Sequence, residues 1–376
     1  MLKKKKSKKI IYIVLGLVAL FFVGLITVNF IKHSPFLFGL LFKKEIVLKK
    51  TDDHINVLIL GIGGGRHEGP NLTDTIILAN LDTEKDKVTL TSIPRDLWIP
   101  DLESANKKIN GAYSQGEDKE KDGGISLSKA VVRKVIGQDI NYVVVIDFSG
   151  FTKAVDLLGG LDMEVDKSFD DYQYPLTGKE DDACGHSDDD IKEFTATTSA
   201  EADLAQFFPC RYKHLHFDKG KIHIDGQTAL EFVRSRHGNN GEGSDFARSK
   251  RQEKVIKAFK DKVFSLRTLA DPGKVLNLYG TVKDSIHTDI KEHEFDDFVR
   301  LSQKFKQAKI KSAVVDAGDE ATGRPGLLMY APISEDYDFL SVLIPRIGNG
   351  NFLEIQKYEE CEIKSDNCII SKTPTQ

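Results

Sequence analysis

The sequence predicts an α/β domain in which a mixed central sheet carries helices on both faces. Short apolar runs at residues 55–60 and 142–148 are typical of buried strands. Segments at residues 126–136 and 245–264 have helical spacing. Glycine and proline residues separate the two kinds of segment. Because strands alternate with helices along the chain, we expect helices to cover the sheet on either side.

The remaining predicted elements continue this alternation. Further strands are predicted at residues 75–81, 88–93, 161–165, 310–315, 327–330 and 339–344. Further helices are predicted at residues 151–158, 226–233, 272–285 and 292–308. Gly159 and Gly160 end the first of these helices, and Ser244 is a candidate N-cap for the long helix that begins at residue 245.

A nearly uninterrupted apolar segment at residues 10–31 is long enough to cross a bilayer as one helix. The lysine-rich residues 1–9 precede it, so the positive-inside rule places them in the cytoplasm. A cleaved signal peptide is disfavoured because its apolar core is usually shorter and no small-x-small cleavage site follows Thr27. We therefore expect a single-pass protein of the cell membrane, with its main domain outside the cytoplasm.

Composition divides the chain beyond this anchor. The expected segments are a linker at residues 32–54, a main domain at 55–265 with a polar insertion at 166–209, helices and strands at 266–364 that complete or extend the core, and a flexible tail at 365–376. The formal net charge of −4 includes the lysines near the N-terminus, so the main domain is more acidic than this value. Such a domain disfavours nucleic-acid binding unless its arginines cluster on one face.

The four cysteines fit an oxidising compartment outside the cytoplasm. Cys361 and Cys368 are close in sequence, and Cys184 and Cys210 flank one polar segment, which favours two local disulfides among three formal pairings. The alternative is a zinc site, and its spacing matches no common zinc finger. That alternative would use Cys184, His186, Cys210, His214 and His216.

A first candidate site lies where a predicted strand ends at Pro94 and is followed by Arg95 and Asp96. Ligands of open α/β sheets gather at the carboxyl ends of the strands. The alternative interpretation of this pair is a surface salt bridge.

A second candidate combines Arg234 and Arg236 with the start of the long predicted helix. On that helix Asp245, Arg248 and Gln252 share one face because they are three and seven residues apart. Several guanidinium groups near a helix N-terminus favour an anion, and phosphate in particular. The alternative is a solvated charged face.

A third candidate is the glycine loop at residues 61–65, with Arg66 and Asp74 after it. Glycines allow the backbone to approach a phosphate closely, but the loop lacks the Gly-Lys-Ser/Thr ending of a nucleotide-binding P-loop. Asp74 is the better candidate to hold a hard cation such as Mg²⁺, which accepts carboxylates together with substrate phosphates.

Taken together, several stretches resemble one known family, the LytR–CpsA–Psr family of cell-wall glycopolymer transferases. The matching stretches occur in the family's order at residues 56–61, 72–75, 92–96, 108–113, 142–151, 158–161, 225–236 and 245–252. They cover roughly residues 55–265, and their combination is far more specific than any one of them.

The resemblance implies an enzyme that moves the phosphoglycosyl end of a polyprenyl-pyrophosphate-linked glycan onto peptidoglycan, with pyrophosphatase activity as a side reaction. It implies an apolar channel for the polyprenyl tail and a role for several residues of this chain. The implied pyrophosphate-binding arginines are Arg95, Arg234, Arg236 and Arg248, with Gln252 as a supporting polar residue. The other implied site residues are Arg66, Lys108 and Asn110 for substrate, Asp96 and Asp245 as orienting groups or bases, and Asp74 for Mg²⁺.

The sequence departs from the family's pattern at one metal position. A second aspartate is expected shortly after the first strand, and Gly63 or Gly64 stands there instead. His67 or Glu68 could replace it, or Asp74 and phosphate could hold the metal alone. The departure keeps a non-catalytic protein that binds lipid pyrophosphate or glycan open as an alternative. A regulator of envelope gene expression is a further alternative, and the acidic outer domain argues against direct DNA contact.

Overall fold

The computed structural model describes residues 45–65, 69–103, 107–197, 205–263, 280, 286–319, 323–365 and 367–373. The predicted cytoplasmic tail and membrane anchor, most of the linker and nearly all of the predicted helix at residues 272–285 lie outside these ranges. Within the described ranges, no helix combines the length and apolar character needed to cross a membrane.

The described chain alternates strands and helices as predicted. The strands are β1 (His54–Ile62), β2 (Thr73–Asp82), β3 (Lys87–Ser92), β4 (Tyr142–Asp147), β5 (Leu161–Val165), β6 (Phe169–Pro175), β7 (Tyr212–Phe217), β8 (Gly220–Ile224), β9 (Ile286–Thr288), β10 (Lys309–Val314), β11 (Gly318–Asp319), β12 (Arg324–Pro325), β13 (Leu328–Tyr330) and β14 (Leu343–Pro345). The principal helices are α1 (Gly111–Lys119), α2 (Gly123–Ile136), α3 (Phe148–Leu157), α4 (Asp188–Thr197), α5 (Gly226–Arg234), α6 (Asp245–Val263), α7 (Phe295–Lys304) and α8 (Leu353–Lys364).

A mixed six-stranded sheet forms the centre of the domain, in the order β10-β3-β2-β1-β4-β9. Strand β2 is antiparallel to β1 and β3, whereas β4 is parallel to β1 and β10 is parallel to β3. As a result, the carboxyl ends of β1, β3 and β4 and the amino end of β2 meet at one edge. This edge is where ligands of open α/β sheets are expected.

One face of the sheet packs against α1, α2 and α8. Leu58, Leu78 and Val143 point to this face and are fully buried in a cluster with Val135 of α2 and Ile355 of α8. Strands β1 and β2 contain continuous apolar runs, and because strand residues two apart share a face, alternate side chains of these runs lie on this face. The C-terminal region contributes directly to this layer, because β10 joins the sheet and α8 lies on it.

A second apolar cluster forms between α3, α5 and α6 and the strand pairs β5–β8 and β6–β7. The rings of Phe169, Phe217 and Phe232 pack together in it with centroids 5.0–6.0 Å apart. The two shorter helices begin at aspartates that cap them: Asp147 accepts a hydrogen bond from the Gly150 backbone, and Asp225 accepts one from the Thr228 backbone.

The structure differs from the prediction of a polar insertion over residues 166–209. Its first part forms β6, whose Phe169 is buried in the second cluster. The polar composition of β6 concealed a strand because the buried Asp171 is satisfied by hydrogen bonds that the sequence alone does not reveal. The polar character fits the later part better, where α4 starts with three exposed aspartates.

The predicted local disulfides are confirmed, because Cys184 is bonded to Cys210 and Cys361 to Cys368. The zinc alternative fails for the cysteines since their sulfurs are bonded to each other. The ring of His186 shares a hydrogen bond of 2.8 Å with the Phe207 carbonyl oxygen instead.

Residues 290–304 group with the segment ending at Leu48 in a compact unit of their own. Within this unit, Arg300 of α7 forms ion pairs with Asp296 and Asp297 one turn earlier. The guanidinium group also donates a hydrogen bond of 3.2 Å to the Glu45 carbonyl oxygen.

A buried carboxyl group on α8 leads to a prediction about stability. Glu359 is 0% exposed, accepts a hydrogen bond of 2.8 Å from the Thr91 hydroxyl, and has its pKa raised from 4.5 to about 7 by burial, with a further contribution from Glu362. The folded state therefore binds a proton more tightly than the unfolded state, and stability decreases as pH rises through this window. We expect Glu359→Gln to remove this loss and to raise the free energy of unfolding at pH 8 by about 1–3 kcal/mol.

The measurement is denaturant unfolding of the detergent-solubilised full chain at pH 5 and pH 8, followed by the fluorescence of Trp98, the single tryptophan. Glu360→Gln is the matched control, because Glu360 is the next residue on α8 and is exposed. An unchanged pH dependence in Glu359→Gln would contradict the prediction.

Candidate functional site

A cavity of about 620 Å³ lies at the sheet edge where β1, β2 and β3 meet the end of α5 and the start of α6. It gathers residues that are far apart in the chain. The site residues predicted from the sequence that line it are Asp74, Arg95, Asp96, Lys108, Arg234, Arg236, Asp245, Arg248 and Gln252.

Asp96 holds three cations of this cavity. Its carboxylate accepts a hydrogen bond of 2.8 Å from Lys108 and lies 3.4 Å from Arg95 Nε and 3.7 Å from an Arg236 nitrogen. Burial by itself would raise the pKa of Asp96, but the charges of Arg95, Lys108 and Arg236 hold it below its ordinary value. A carboxylate stabilised in its charged form is a poor proton acceptor. The geometry therefore suits Asp96 to orienting the cations.

Arg95 contacts two carboxylates at the sheet edge, one on β2 and one just after β3. Its guanidinium group donates to Asp74 over 2.5 Å while it also faces Asp96. Burial opposes its charge, and the two carboxylates more than compensate, so the pKa of Arg95 lies above its ordinary value. Strand β3 ends at Ser92, and Pro94 prevents the chain from continuing it, so Arg95 follows the strand and lines the cavity.

Arg236 is a cation whose charge the nearby carboxylates compensate only in part. Burial, together with the charges of Arg248 and Arg95, lowers the pKa of Arg236 to about 10. Like charges converge here although each repels the others. An anion bound among these three groups would relieve the repulsion and would be held by bidentate hydrogen bonds.

Arg234 lies between aromatic side chains at the end of α5. Its guanidinium carbon is 4.4 Å from the Phe148 ring centroid, and one of its nitrogens donates a hydrogen bond of 3.3 Å to the Tyr174 hydroxyl. A planar guanidinium stacked on a ring keeps its orientation with little loss of entropy. These contacts direct Arg234 toward the cavity wall.

Two further residues that line the cavity, Arg248 and Gln252, lie on α6. Arg248 forms an ion pair of 2.8 Å with Asp245 one turn earlier on the helix. Gln252, a further turn along, donates a hydrogen bond of 3.3 Å to the Thr75 hydroxyl of β2. This contact fixes α6 to the sheet edge, as the shared helix face predicts.

Asn110 has a different position from the other predicted substrate residues. It is 5% exposed and does not appear among the described residues that line the cavity. Its backbone carbonyl accepts hydrogen bonds from the Thr73 backbone and hydroxyl, while its backbone N–H donates to the Arg95 carbonyl. Asn110 therefore ties the turn that carries Lys108 to β2. Arg66 lies outside the described residues.

Asp171 of β6 is a functional residue that the sequence analysis missed. Its buried carboxylate accepts hydrogen bonds from the Ser235 hydroxyl at 2.6 Å and from the backbone N–H groups of Arg236 and His237 at 3.2 Å. It holds the segment that presents Arg236 to the cavity. No local signal could reveal this role, because the partners are more than sixty residues apart.

Arg251 is the second missed residue, and it holds the same segment through backbone carbonyl groups. This arginine is 3% exposed and donates to the carbonyl oxygens of Phe232 at 2.9 Å and of Ser235 and Glu242 at 2.6 Å. It also pairs with the Glu242 carboxylate at 2.9 Å. The one available signal was its spacing three residues after Arg248, which places both on neighbouring turns of α6.

Asp74, the residue predicted to bind metal, has a position in the cavity that fits a Mg²⁺ site with one protein carboxylate. Asp74 lines the cavity together with Gly63, one of the two glycines that stand where a second carboxylate is expected. One oxygen of Asp74 bonds to Arg95, which leaves the other oxygen for a cation shared with substrate phosphates. His67 and Glu68 lie outside the described residues. The described residues hold one cluster with metal-ligand spacing, Asp182, Cys184 and Cys210, and its cysteines form a disulfide.

The fold and the cavity define a mixed α/β domain with an arginine-rich anion site at the edge of its central sheet. The chain belongs to the LytR_cpsA_psr family, whose model matches residues 39–337. This match extends beyond the residues that carry the resemblance seen in the sequence and includes β10 and β13.

Individual relatives and solved structures are also similar to this chain. A protein of Bacillus cereus named polyisoprenyl-teichoic acid–peptidoglycan teichoic acid transferase TagU is 27% identical over 255 residues, which cover 68% of this chain and 66% of the relative. The crystal structure of Bacillus subtilis TagV superposes with a TM-score of 0.52 at 21% identity and covers 85% of this chain and all of that one. A structure from Streptococcus agalactiae gives 0.54 at 20% identity, with 86% and 91% covered. The chain spans just under two thirds of the length of the curated relatives it matches first.

Proposed function

We propose that this protein is an extracytoplasmic phosphotransferase that moves a glycopolymer from a polyprenyl-pyrophosphate carrier to peptidoglycan. The observation that carries the proposal is the convergence of Arg95, Arg236 and Arg248 in one cavity. Burial and the charges of the other two arginines lower the pKa of Arg236 there. Such a site is poised for a group with several negative charges, and a pyrophosphate has them.

The reaction that fits this site is displacement at phosphorus. An acceptor hydroxyl attacks the phosphorus that carries the glycan, the bridging P–O bond breaks, and polyprenyl phosphate leaves. The hydroxyl proton passes to a base or to solvent. Phosphoryl transfer depends on positioning and charge stabilisation more than on covalent chemistry by the protein. Water in place of the hydroxyl would give the pyrophosphatase side reaction.

Each site residue has a role in this proposal. The arginines and Lys108 bind the phosphates. Asp96 orients three of these cations, Arg95, Lys108 and Arg236, through its ion pairs with them. Asp245 orients Arg248 and is the remaining candidate base. When bound, Mg²⁺ would neutralise phosphate charge, and Asp74 would hold it. Arg66 and Asn110 remain proposed substrate residues, the latter through the turn that it braces.

The names of the relatives support the substrate class. TagU of Bacillus cereus and TagV of Bacillus subtilis are both named polyisoprenyl-teichoic acid–peptidoglycan teichoic acid transferases. The proposed anchor at residues 10–31 would keep the domain beside a carrier whose lipid tail lies in the same membrane. A donor that brings its own pyrophosphate linkage also removes the need for a nucleotide outside the cell.

The test uses the full chain in detergent with a glycosylated polyprenyl-pyrophosphate donor, peptidoglycan and Mg²⁺. We expect release of polyprenyl phosphate together with attachment of the glycan to peptidoglycan, and we expect Arg95→Ala to abolish both. Removing Arg95 takes a cation from the phosphates and leaves Asp74 and Asp96 without their shared partner. Arg133→Ala is the control, because Arg133 is exposed on α2 and pairs with Asp139. Full activity in Arg95→Ala would contradict the site assignment.

The same assay addresses a non-catalytic lipid-pyrophosphate or glycan receptor, the alternative that Gly63 favours. With one of two expected carboxylates replaced, the site could bind a donor without converting it. Tight donor binding without any turnover, with Mg²⁺ and peptidoglycan present, would establish the receptor and overturn the transferase.

A further inference from the structure

The hairpin formed by β13 and β14 is bonded to the segment that carries Arg95 and Asp96. The backbone N–H of Leu343 donates to the Asp96 carbonyl oxygen at 3.0 Å, and the Trp98 N–H donates to the Leu343 carbonyl oxygen at 2.8 Å. In addition, Tyr337 of the connecting loop packs edge-on against Trp98, with the ring centroids 5.5 Å apart. The hairpin therefore has a fixed position relative to Asp96, although the two are far apart in the chain.

This hairpin makes an uncharged contribution to the arginine cavity. The lining residues that come from it are Tyr330, Ser341, Val342 and Leu343. Tyr330, which pairs with Leu343 across the hairpin, is 66% exposed. Burial and the charge of Asp245, followed by that of Asp96, raise the pKa of Tyr330, and the charge of Arg236 opposes this shift. The phenol is therefore neutral at physiological pH and lies within electrostatic reach of the phosphate site.

The loop between the two strands, residues 331–342, has a surface that is both apolar and acidic. Ile333 is 71% exposed and Phe339 is 68% exposed. The exposed carboxylates of the loop are Glu335, Asp336 and Asp338, and the loop contains no Lys, Arg or His. Such a surface repels the anionic groups of a glycopolymer or of a membrane lipid, but it does not repel an uncharged ring.

The backbone of this loop holds Phe339 in an unusual conformation. Its φ of 55° lies in the left-handed region, which a bulky side chain rarely adopts. The Phe339 N–H donates to the Ser334 carbonyl oxygen at 2.9 Å, and the Leu340 N–H donates to the Tyr337 carbonyl oxygen at 2.9 Å. Because a strained backbone persists only where the surrounding structure fixes it, the turn that presents Phe339 to solvent is a fixed one.

We propose that the β13–β14 hairpin is the acceptor side of the site, where Tyr330 stacks on a sugar ring of the peptidoglycan chain whose hydroxyl attacks the phosphorus. The inference rests on the proposed function, which places the phosphates at the arginines. An aromatic face suits the C–H groups on the face of a sugar ring, and Phe339 and Ile333 extend this surface beyond the cavity. The carboxylates of the loop keep an anionic donor polymer away from it, so the acceptor has this surface to itself.

The test measures glycan transfer by the full chain in detergent, with KM determined separately for soluble peptidoglycan fragments and for the lipid-linked donor. We expect Tyr330→Ala to raise the acceptor KM about 10-fold, in the range of one lost aromatic contact, and to leave the donor KM unchanged. Tyr330→Phe keeps the ring, so we expect it to retain the acceptor KM of the unsubstituted protein. Tyr172→Ala is the matched control, because Tyr172 is 65% exposed and is not among the described residues that line the cavity.

The outcomes separate this inference from the proposed function. An unchanged acceptor KM in Tyr330→Ala, or an equal rise in Tyr172→Ala, overturns the acceptor surface while the arginine site stands. A rise in the donor KM in place of the acceptor KM assigns the hairpin to the donor and also overturns the inference. A loss in Tyr330→Phe as large as in Tyr330→Ala contradicts stacking on the ring. If the unsubstituted protein transfers no glycan, the proposed function and the acceptor surface are overturned together.

Discussion

Arg236→Ala is expected to lower the rate of glycopolymer transfer by about 10²–10³-fold, the loss typical of removing one preorganised donor from a developing anion. Arg236 lies among Arg95 and Arg248, and burial together with the charges of these two arginines lowers the pKa of Arg236 to about 10. A bound anion would relieve the repulsion among the three arginines. Because charge shifts to the leaving phosphate during the reaction, the effect should appear in kcat as well as in kcat/KM.

Arg236→Lys is the informative companion variant. Lysine keeps the charge but loses the planar fork that matches two phosphate oxygens, so we expect most of the rate to be lost with this change as well. The measurement is steady-state transfer by the full chain, with KM and kcat determined separately. A raised KM with unchanged kcat in both variants would contradict a role in the transition state and would restrict Arg236 to binding the ground state.

Arg251→Met is expected to have the largest effect on stability, with a loss of about 3–5 kcal/mol in the free energy of unfolding. Arg251 is buried and donates to three carbonyl oxygens and to Glu242. Methionine fills much of the volume but leaves these acceptors without a donor, which is the costly half of breaking a buried pair. The segment that carries Arg236 would lose its support, so pyrophosphate binding should weaken as well.

Lys250→Met is the matched control, because Lys250 precedes Arg251 on α6 and its side chain is 43% exposed. Denaturant unfolding followed by Trp98 fluorescence measures the stability change in both variants. If Arg251→Met does not accumulate as a folded protein, Arg251→Lys keeps the positive charge and tests the support alone. Normal stability and pyrophosphate affinity in both Arg251 variants would contradict the assigned role.

Much of the fold could be predicted from the sequence, because its signals are local. The apolar runs of β1 and β2, and the helical spacing of α2 and α6, appear within short windows. The prediction of elements was wrong where a segment of polar composition has buried side chains. The sequence predicts strand β6, which carries Asp170 and Asp171, as part of an insertion, yet its Phe169 and Tyr174 are buried in an apolar cluster.

The candidate site likewise has features that the sequence predicts and features that only the fold shows. The sequence by itself determined which residue types stand near the ends of strands and helices, and therefore that Arg95, Arg236 and Arg248 are candidates for binding phosphate. The cysteine pairs also followed from short separations in the chain. These properties depend on neighbouring residues, which the sequence displays directly.

Only the tertiary structure decided how the candidates act together. It places Asp96 against three cations and brings Asp171 of β6 and Arg251 of α6 to the segment that carries Arg236. Each of these arrangements joins residues that are distant in the chain and meet only after the strands pair and α6 packs on the sheet edge. Burial and charge then set the pKa of Arg236, because both depend on which groups the fold brings within a few ångströms.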